Sequence, residues 1–152
     1  MPHIISKNHR LAWRTLLEAQ SSITKELDRR LRQAHEVPLE VYDVLSTLEE
    51  ADGHRLRMSE LADTVMFSRS GLTRMVDRLE EQGLVRREPF PDDRRGWFAV
   101  VTPEGIAARH KACEIVQTAL LECWEKVVTD EEARQIHTLF SRVSKEARAA
   151  AR

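Results

Sequence analysis

The stretch 67–88, FSRSGLTRMVDRLEEQGLVRRE, holds Arg69, Arg74, Arg78, Arg86 and Arg87 in a chain whose net charge is −1. Ser68, Ser70 and Thr73 stand among them. This mixture has the chemistry to read a nucleic acid. A guanidinium forks onto the N7 and O6 acceptors of guanine, and a hydroxyl bonds to several base edges. Arginine also pairs with phosphate through two parallel hydrogen bonds. Arginines on a helix are more commonly plain solvated surface, so their spacing has to decide. At about 100° per residue, Leu72, Met75, Val76 and Leu79 gather on one side of a helix. Arg69, Ser70, Thr73, Arg74, Asp77 and Arg78 gather on the other. The apolar set follows i, i+3, i+4, i+7. One side is expected to lock into a core and the other to present its arginines to solvent.

On that face, Ser68, Arg69, Ser70, Thr73 and Arg74 are expected at bases or nearby phosphates, and Arg78 at a phosphate. The helix N-terminus adds backbone N–H groups for the same anion. Asp77 is expected to orient Arg74 or Arg78. After Gly83 the period becomes strand-like over 84–88 and again over 97–101, with PFPDDRRG between, which predicts a hairpin. Arg94 and Arg95 at its tip suit a narrow minor groove, where the negative potential is deepest. Asp93 could hold one of them by a charge-assisted bond. Arg69, Arg74, Arg78, Arg86, Arg87, Arg94 and Arg95 make seven cations against six anions, Asp77, Glu80, Glu81, Glu88, Asp92 and Asp93. The excess is one, so placement and not total charge carries the argument.

These residues need a scaffold. Residues 8–34 carry Leu16, Ile23, Leu27 and Leu31 at helical spacing, with Leu11, Trp13 and Leu17 beside them. Such a helix is about 40 Å long, more than a small domain needs. A second helix starts near Pro38, places Val41, Tyr42, Leu45 and Leu48 on one face, and stops at Asp52-Gly53. A short one over 58–65, with Ser59 as N-cap, turns Leu61, Ala62 and Val65 inward. Phe67-Ser68 makes a turn, Ser68 or Ser70 caps the arginine-bearing helix, and Gly83 ends it. Thr102-Pro103 restarts a helix that runs to about residue 128. Thr129-x-x-Glu132 is a capping box, and Ile136, Leu139, Phe140 and Val143 line the last helix. The fold class is therefore mostly α with a small β-hairpin. A winged helix-turn-helix is expected over 37–102, and the apolar stripes left over on 1–36 and 103–152 make these a candidate helical dimerisation region.

The bulk properties agree. The chain has 152 residues, 41% hydrophobic and 32% charged, a globular balance long enough to bury a core. Its cysteines, Cys113 and Cys123, lie ten apart in a predicted helix and cannot bridge there. No signal-peptide core and no run near the roughly 20 apolar residues of a membrane span is present, so a cytoplasmic protein is expected. His110-x-x-Cys113 puts two soft ligands on one helix face but finds no third, so core cysteine and surface histidine is the plainer reading and no metal is expected. His54 reads as a solvated loop side chain. No phosphate loop, nucleophile elbow or metalloprotease helix occurs, so neither an enzyme nor a cofactor is expected.

The stretch MSELADTVMFSRSGLTRMVDRLEEQGLVRREPFPDDRRGWFAVVTPEG resembles the core of MarR-type transcription regulators. Its most specific part is Asp93-Arg94-Arg95, then a strand, then Thr102-Pro103-Glu104-Gly105. Phe90 stands where such proteins often have Asp before the loop proline. The resemblance implies a homodimer joined by both chain ends, binding double-stranded DNA at a pseudo-palindromic operator, most simply as a repressor. The apolar stripes of the first and last helices would be left bare in a monomer, which supports the dimer independently. The resemblance also implies a small aromatic or anionic effector. Trp13, Asp43 and Arg87 partly match the pocket of a urate-responsive branch, with Met75 where a second cation is expected. The plainer alternative is that Trp13 packs and Asp43 pairs with a nearby arginine. Redox sensing finds no cysteine near the first helix to support it. A winged helix used only for protein contacts is the alternative to DNA binding.

Overall fold

The computed structural model describes residues 5–65, 67–91 and 96–150. In order, the elements are α1 (Lys7–Gln33), α2 (Leu39–Glu50), a 3-10 turn (Asp52–His54), β1 (Arg55–Arg57) and α3 (Met58–Thr64). They continue with α4 (Arg69–Glu81), β2 (Val85–Pro89), β3 (Trp97–Val101), α5 (Pro103–Leu120), a wider π turn (Leu121–Glu125) and α6 (Asp130–Ala150). The mostly helical fold with its small hairpin is as the spacing predicts. Two compact units divide between Val116 and Gln117, inside α5.

In the first unit one core joins α2, α3, α4 and the sheet. Val44, Leu45 and Leu48 of α2 meet Leu61 and Ala62 of α3, the α4 stripe, and Val85, Ala99 and Val101 of the strands. The β-branched and small residues on the strands suit a sheet face pressed against helices. Leu27 and Leu31 are the buried residues of α1. Asp28 of the same helix accepts from the Leu39 N–H at 3.1 Å, satisfying one of the open donors of α2.

The sheet has three strands in the order β1-β3-β2, all antiparallel. The hairpin was expected; β1 was not. Arg55-Leu56-Arg57 offers one apolar residue, and its pairing with Val100, Ala99 and Phe98 comes from more than 40 residues away. Ser59 is not the α3 cap. It lies inside the helix, where the Arg57 backbone N–H donates to the Glu60 carboxylate at 3.1 Å. The helix after Thr102 also stops short of residue 128, giving way to the π turn at Leu121.

The hairpin is tied to α4 and α5 at its base. Gly83 has φ +72 and turns the chain out of α4, a conformation glycine adopts without strain. The Thr102 hydroxyl donates to the Gly83 carbonyl at 2.7 Å and accepts from the Gly105 N–H at 3.0 Å. The Thr102 N–H donates to the Leu84 carbonyl at 3.1 Å. These bonds give the motif Thr102-Pro103-Glu104-Gly105 its physical meaning: it clamps the first turn of α5 onto the root of the hairpin.

In the second unit α6 opens on the expected capping box. The Thr129 N–H donates to Glu132 at 2.9 Å and the Glu132 N–H to the Thr129 hydroxyl at 3.3 Å. No α6 residue is buried in the single chain, and Leu139 and Val143 stand exposed.

Candidate nucleic-acid interface

α4 folds as its spacing requires. Leu72, Met75, Val76 and Leu79 are each at most 2% exposed, while Arg69, Ser70, Thr73, Arg74, Asp77 and Arg78 are all exposed. Ser68, and not Ser70, is the cap: its Oγ accepts from the Gly71 N–H at 3.1 Å. Ser70 Oγ lies 3.4 Å from it. The Thr73 hydroxyl donates back to the Arg69 carbonyl at 2.9 Å.

The acids near this face are held by other arginines. Arg87 on β2 donates to Asp77 at 2.6 Å and to Glu80 at 2.8 Å, and its backbone N–H reaches Glu80 at 3.0 Å. Asp77 therefore orients Arg87, not Arg74 or Arg78 as expected. A strand passing beneath the helix presents its guanidinium to two carboxylates three residues apart, which share one side of α4. Arg86 and Arg55 both pair with Glu88, and they hold its carboxyl below the usual carboxylate range. Arg78 lies 3.6 Å from Glu40, a loose and exposed contact. Arg69 and Arg74 make no ion pair among the described residues. Two guanidinium groups thus stand free on a helix whose other side is fixed in the core. Arg94 and Arg95, with Asp92 and Asp93, lie outside the described residues.

The sequence model of the MarR family matches residues 35–96. The Escherichia coli HTH-type transcriptional regulator PrsX is 35% identical over 92 residues, covering 60% of this chain and 55% of PrsX. The chain thus spans little more than half the length of that curated relative. AbsC, a MarR family transcriptional regulator from Streptomyces coelicolor, matches with TM-score 0.86 and 29% identity over 97% of this chain and 99% of its own. Sco3205, a MarR family transcriptional regulator from the same organism solved in complex with DNA, matches with TM-score 0.86 and 32% identity. That match covers 95% of this chain and 91% of Sco3205. This chain belongs to the MarR family.

Trp13 is 57% exposed on α1 in the single chain, so it does not pack there. Asp43 makes no ion pair among the described residues, and Arg87 is bound to Asp77 and Glu80. No hydrogen bond or ion pair among the described residues joins Trp13, Asp43 and Arg87. Partial burial, then the charge of Asp28, pushes the Asp43 carboxyl above the usual carboxylate range. The folded chain then holds a proton where the unfolded chain has released it. Stability falls as pH rises from the ordinary aspartate pKa through the raised one. Asp43→Asn should therefore stabilise the protein at neutral pH, by roughly a few tenths of a kcal/mol for so solvated a site. Urea midpoints over a pH series check this; a variant weaker than wild type at pH 7 contradicts it.

Within the same MarR fold, His110 and Cys113 turn to different partners. His110 Nε2 lies 2.8 Å from Glu49, and Cys113 adjoins the Tyr42 hydroxyl. Burial first, and that thiol second, push the Tyr42 pKa up. Both cysteines are free thiols. Among the described residues no three His, Cys, Asp or Glu side chains converge on a common point. Nor is any described helix long and apolar enough to cross a membrane. His54 is more than a solvated side chain, since its Nδ1 donates to the Glu49 carbonyl at 2.7 Å. Sequence reasoning missed Arg55 and Arg57, which stack on Phe98 and Phe90. The alternation Arg-Leu-Arg was the available signal.

Proposed function

We propose that this MarR-family chain is a sequence-specific, DNA-binding transcription regulator. It acts in the cytoplasm as a homodimer on a pseudo-palindromic operator, with repression as its sense. The observation that carries the reading is the pair Arg69 and Arg74, free of acids among the described residues, on the solvent face of a helix whose apolar face is locked. The likeness to Sco3205, solved with DNA, supports it. Ser68, Ser70 and Thr73 would share the base edges and nearby phosphates, Arg78 would take a phosphate, and Arg94 or Arg95 would enter the minor groove.

The dimer reading rests on 1–36 and 103–152. Leu11, Trp13 and Leu17 in one part and Leu139 and Val143 in the other are exposed apolar side chains that a second copy would cover. Two-fold symmetry then sets half-sites about one helical turn apart, roughly 34–36 Å. A small aromatic or anionic effector would act by binding more tightly to the spacing of recognition helices that does not fit DNA.

The test is a titration against the DNA upstream of its own gene and against random DNA, at two salt concentrations. Wild type should prefer the upstream DNA and weaken steeply with salt. Arg74→Ala should cost about 1–3 kcal/mol of specific affinity and relax base preference. Undiminished affinity and selectivity in that variant would remove Arg74 from the interface. Wild-type affinity that ignores both salt and sequence would favour a protein-binding winged helix.

A further inference from the structure

We propose that Phe90 and Arg57 are positioning residues that lock the hairpin at a fixed angle to the helix-turn-helix, and so fix where the wing meets DNA. The inference rests on the DNA-binding reading above and concerns how the wing is held.

The far end of the hairpin has few internal ties. The ladder ends at the pair Pro89↔Trp97, and proline has no N–H to donate to it. One backbone bond follows, from the Phe90 N–H to the Gly96 carbonyl at 2.9 Å. The pairing of β3 with β1 ends at Phe98, and beyond it the hairpin is a two-stranded ribbon, free to twist unless something outside it holds it. That something is a column of side chains on the outer sheet face. Phe90 stacks on Phe98 with ring centroids 4.4 Å apart and planes 16° from parallel. The Arg57 guanidinium carbon sits 4.1 Å from the Phe90 centroid, and that of Arg55 sits 4.7 Å from the Phe98 centroid.

The sequence position of Arg57 gives the column its leverage. Arg57 is the last residue of β1 and directly precedes α3, the helix packed on α4. A turn of the hairpin relative to α3 would pull the ring out from under the guanidinium. The lower end is braced as well, because Glu88 pairs with both Arg55 and Arg86. The Arg57 guanidinium makes no ion pair among the described residues, so its attraction to the ring is not shared with a carboxylate. Such a contact depends on an aromatic face, and an aliphatic side chain of similar size does not supply it.

The experiment uses the full-length protein on the upstream duplex with two footprints. Hydroxyl radicals report the minor groove, and dimethyl sulfate reports guanine N7 in the major groove. Wild type should protect both. Phe90→Leu and Arg57→Ala should each weaken binding by about two- to fivefold, the range for one exposed cation–π contact. Both should lose the flanking minor-groove protection and keep the central guanine protection. Phe90→Tyr, which retains the ring, should restore the wild-type pattern. The double variant Phe90→Leu/Arg57→Ala should be no worse than its worse single. Arg57→Ala is a surface change, so its result stands even if Phe90→Leu unfolds. Unchanged flanks in both single variants, or a tyrosine no better than leucine, would overturn the lock while the DNA-binding reading survives. A wild-type protein that leaves no footprint would overturn both.

Discussion

Gly105→Ala should lower the stability of this protein by on the order of 3 kcal/mol or more. A β-carbon at this position would lie 2.1 Å from the Leu84 carbonyl oxygen and 2.8 Å from Val101 Cγ2. The oxygen is backbone and is already held by the Thr102 N–H, so it cannot swing away as a long side chain would. Relief requires the first turn of α5 to move off the hairpin. That breaks the bonds of Thr102 to Gly83 and Gly105 as well. For a chain of this size the loss corresponds to a fall in Tm of roughly 6–12 °C, measured at equal protein concentration. A variant melting within a degree or two of wild type would mean that the clamp is looser than the structure has it.

Leu72→Ala is expected to cost about 2–5 kcal/mol. Leu72 is 1% exposed and opens the apolar stripe of α4. Its removal leaves a cavity between that helix and the core formed by α2, α3 and the sheet. DNA affinity should fall with it, because Arg69 and Arg74 on the same helix are aimed by this packing. Thr73→Ala, one residue on and facing solvent, should leave stability within about half a kcal/mol. Urea unfolding of the two variants side by side separates the faces. Equal losses would show that α4 is not rotated as described, and the free arginines would lose their warrant.

The contrast between these neighbours explains why α4 was legible from sequence. Four apolar residues at i, i+3, i+4 and i+7 leave one solution for the helix, and the polar face follows. The base of the hairpin was legible in part, since Gly83 and Thr102-Pro103 are local signals. β1 was not, because the alternation Arg-Leu-Arg spans only three residues between helical segments, too few to set a period, and their pairing with β3 is long-range. The partner of Asp77 was misread for the same reason. Local spacing favours Arg74 or Arg78, yet Arg87 arrives from the strand and also satisfies Glu80. The α3 cap was misplaced because the helix begins at Met58, before Ser59, with Arg57 at the cap position and its N–H taken by the Glu60 carboxylate. The end of α5 failed because nothing in the residues around Leu121 announces a wider turn.

The Thr73 hydroxyl has one proton, and the Arg69 carbonyl takes it. What remains pointing outward is a pair of oxygen lone pairs. While that bond holds, the side chain would meet a base edge as an acceptor only. In that state it would complement the exocyclic amino groups of adenine and cytosine and be mismatched with the carbonyls of thymine and guanine.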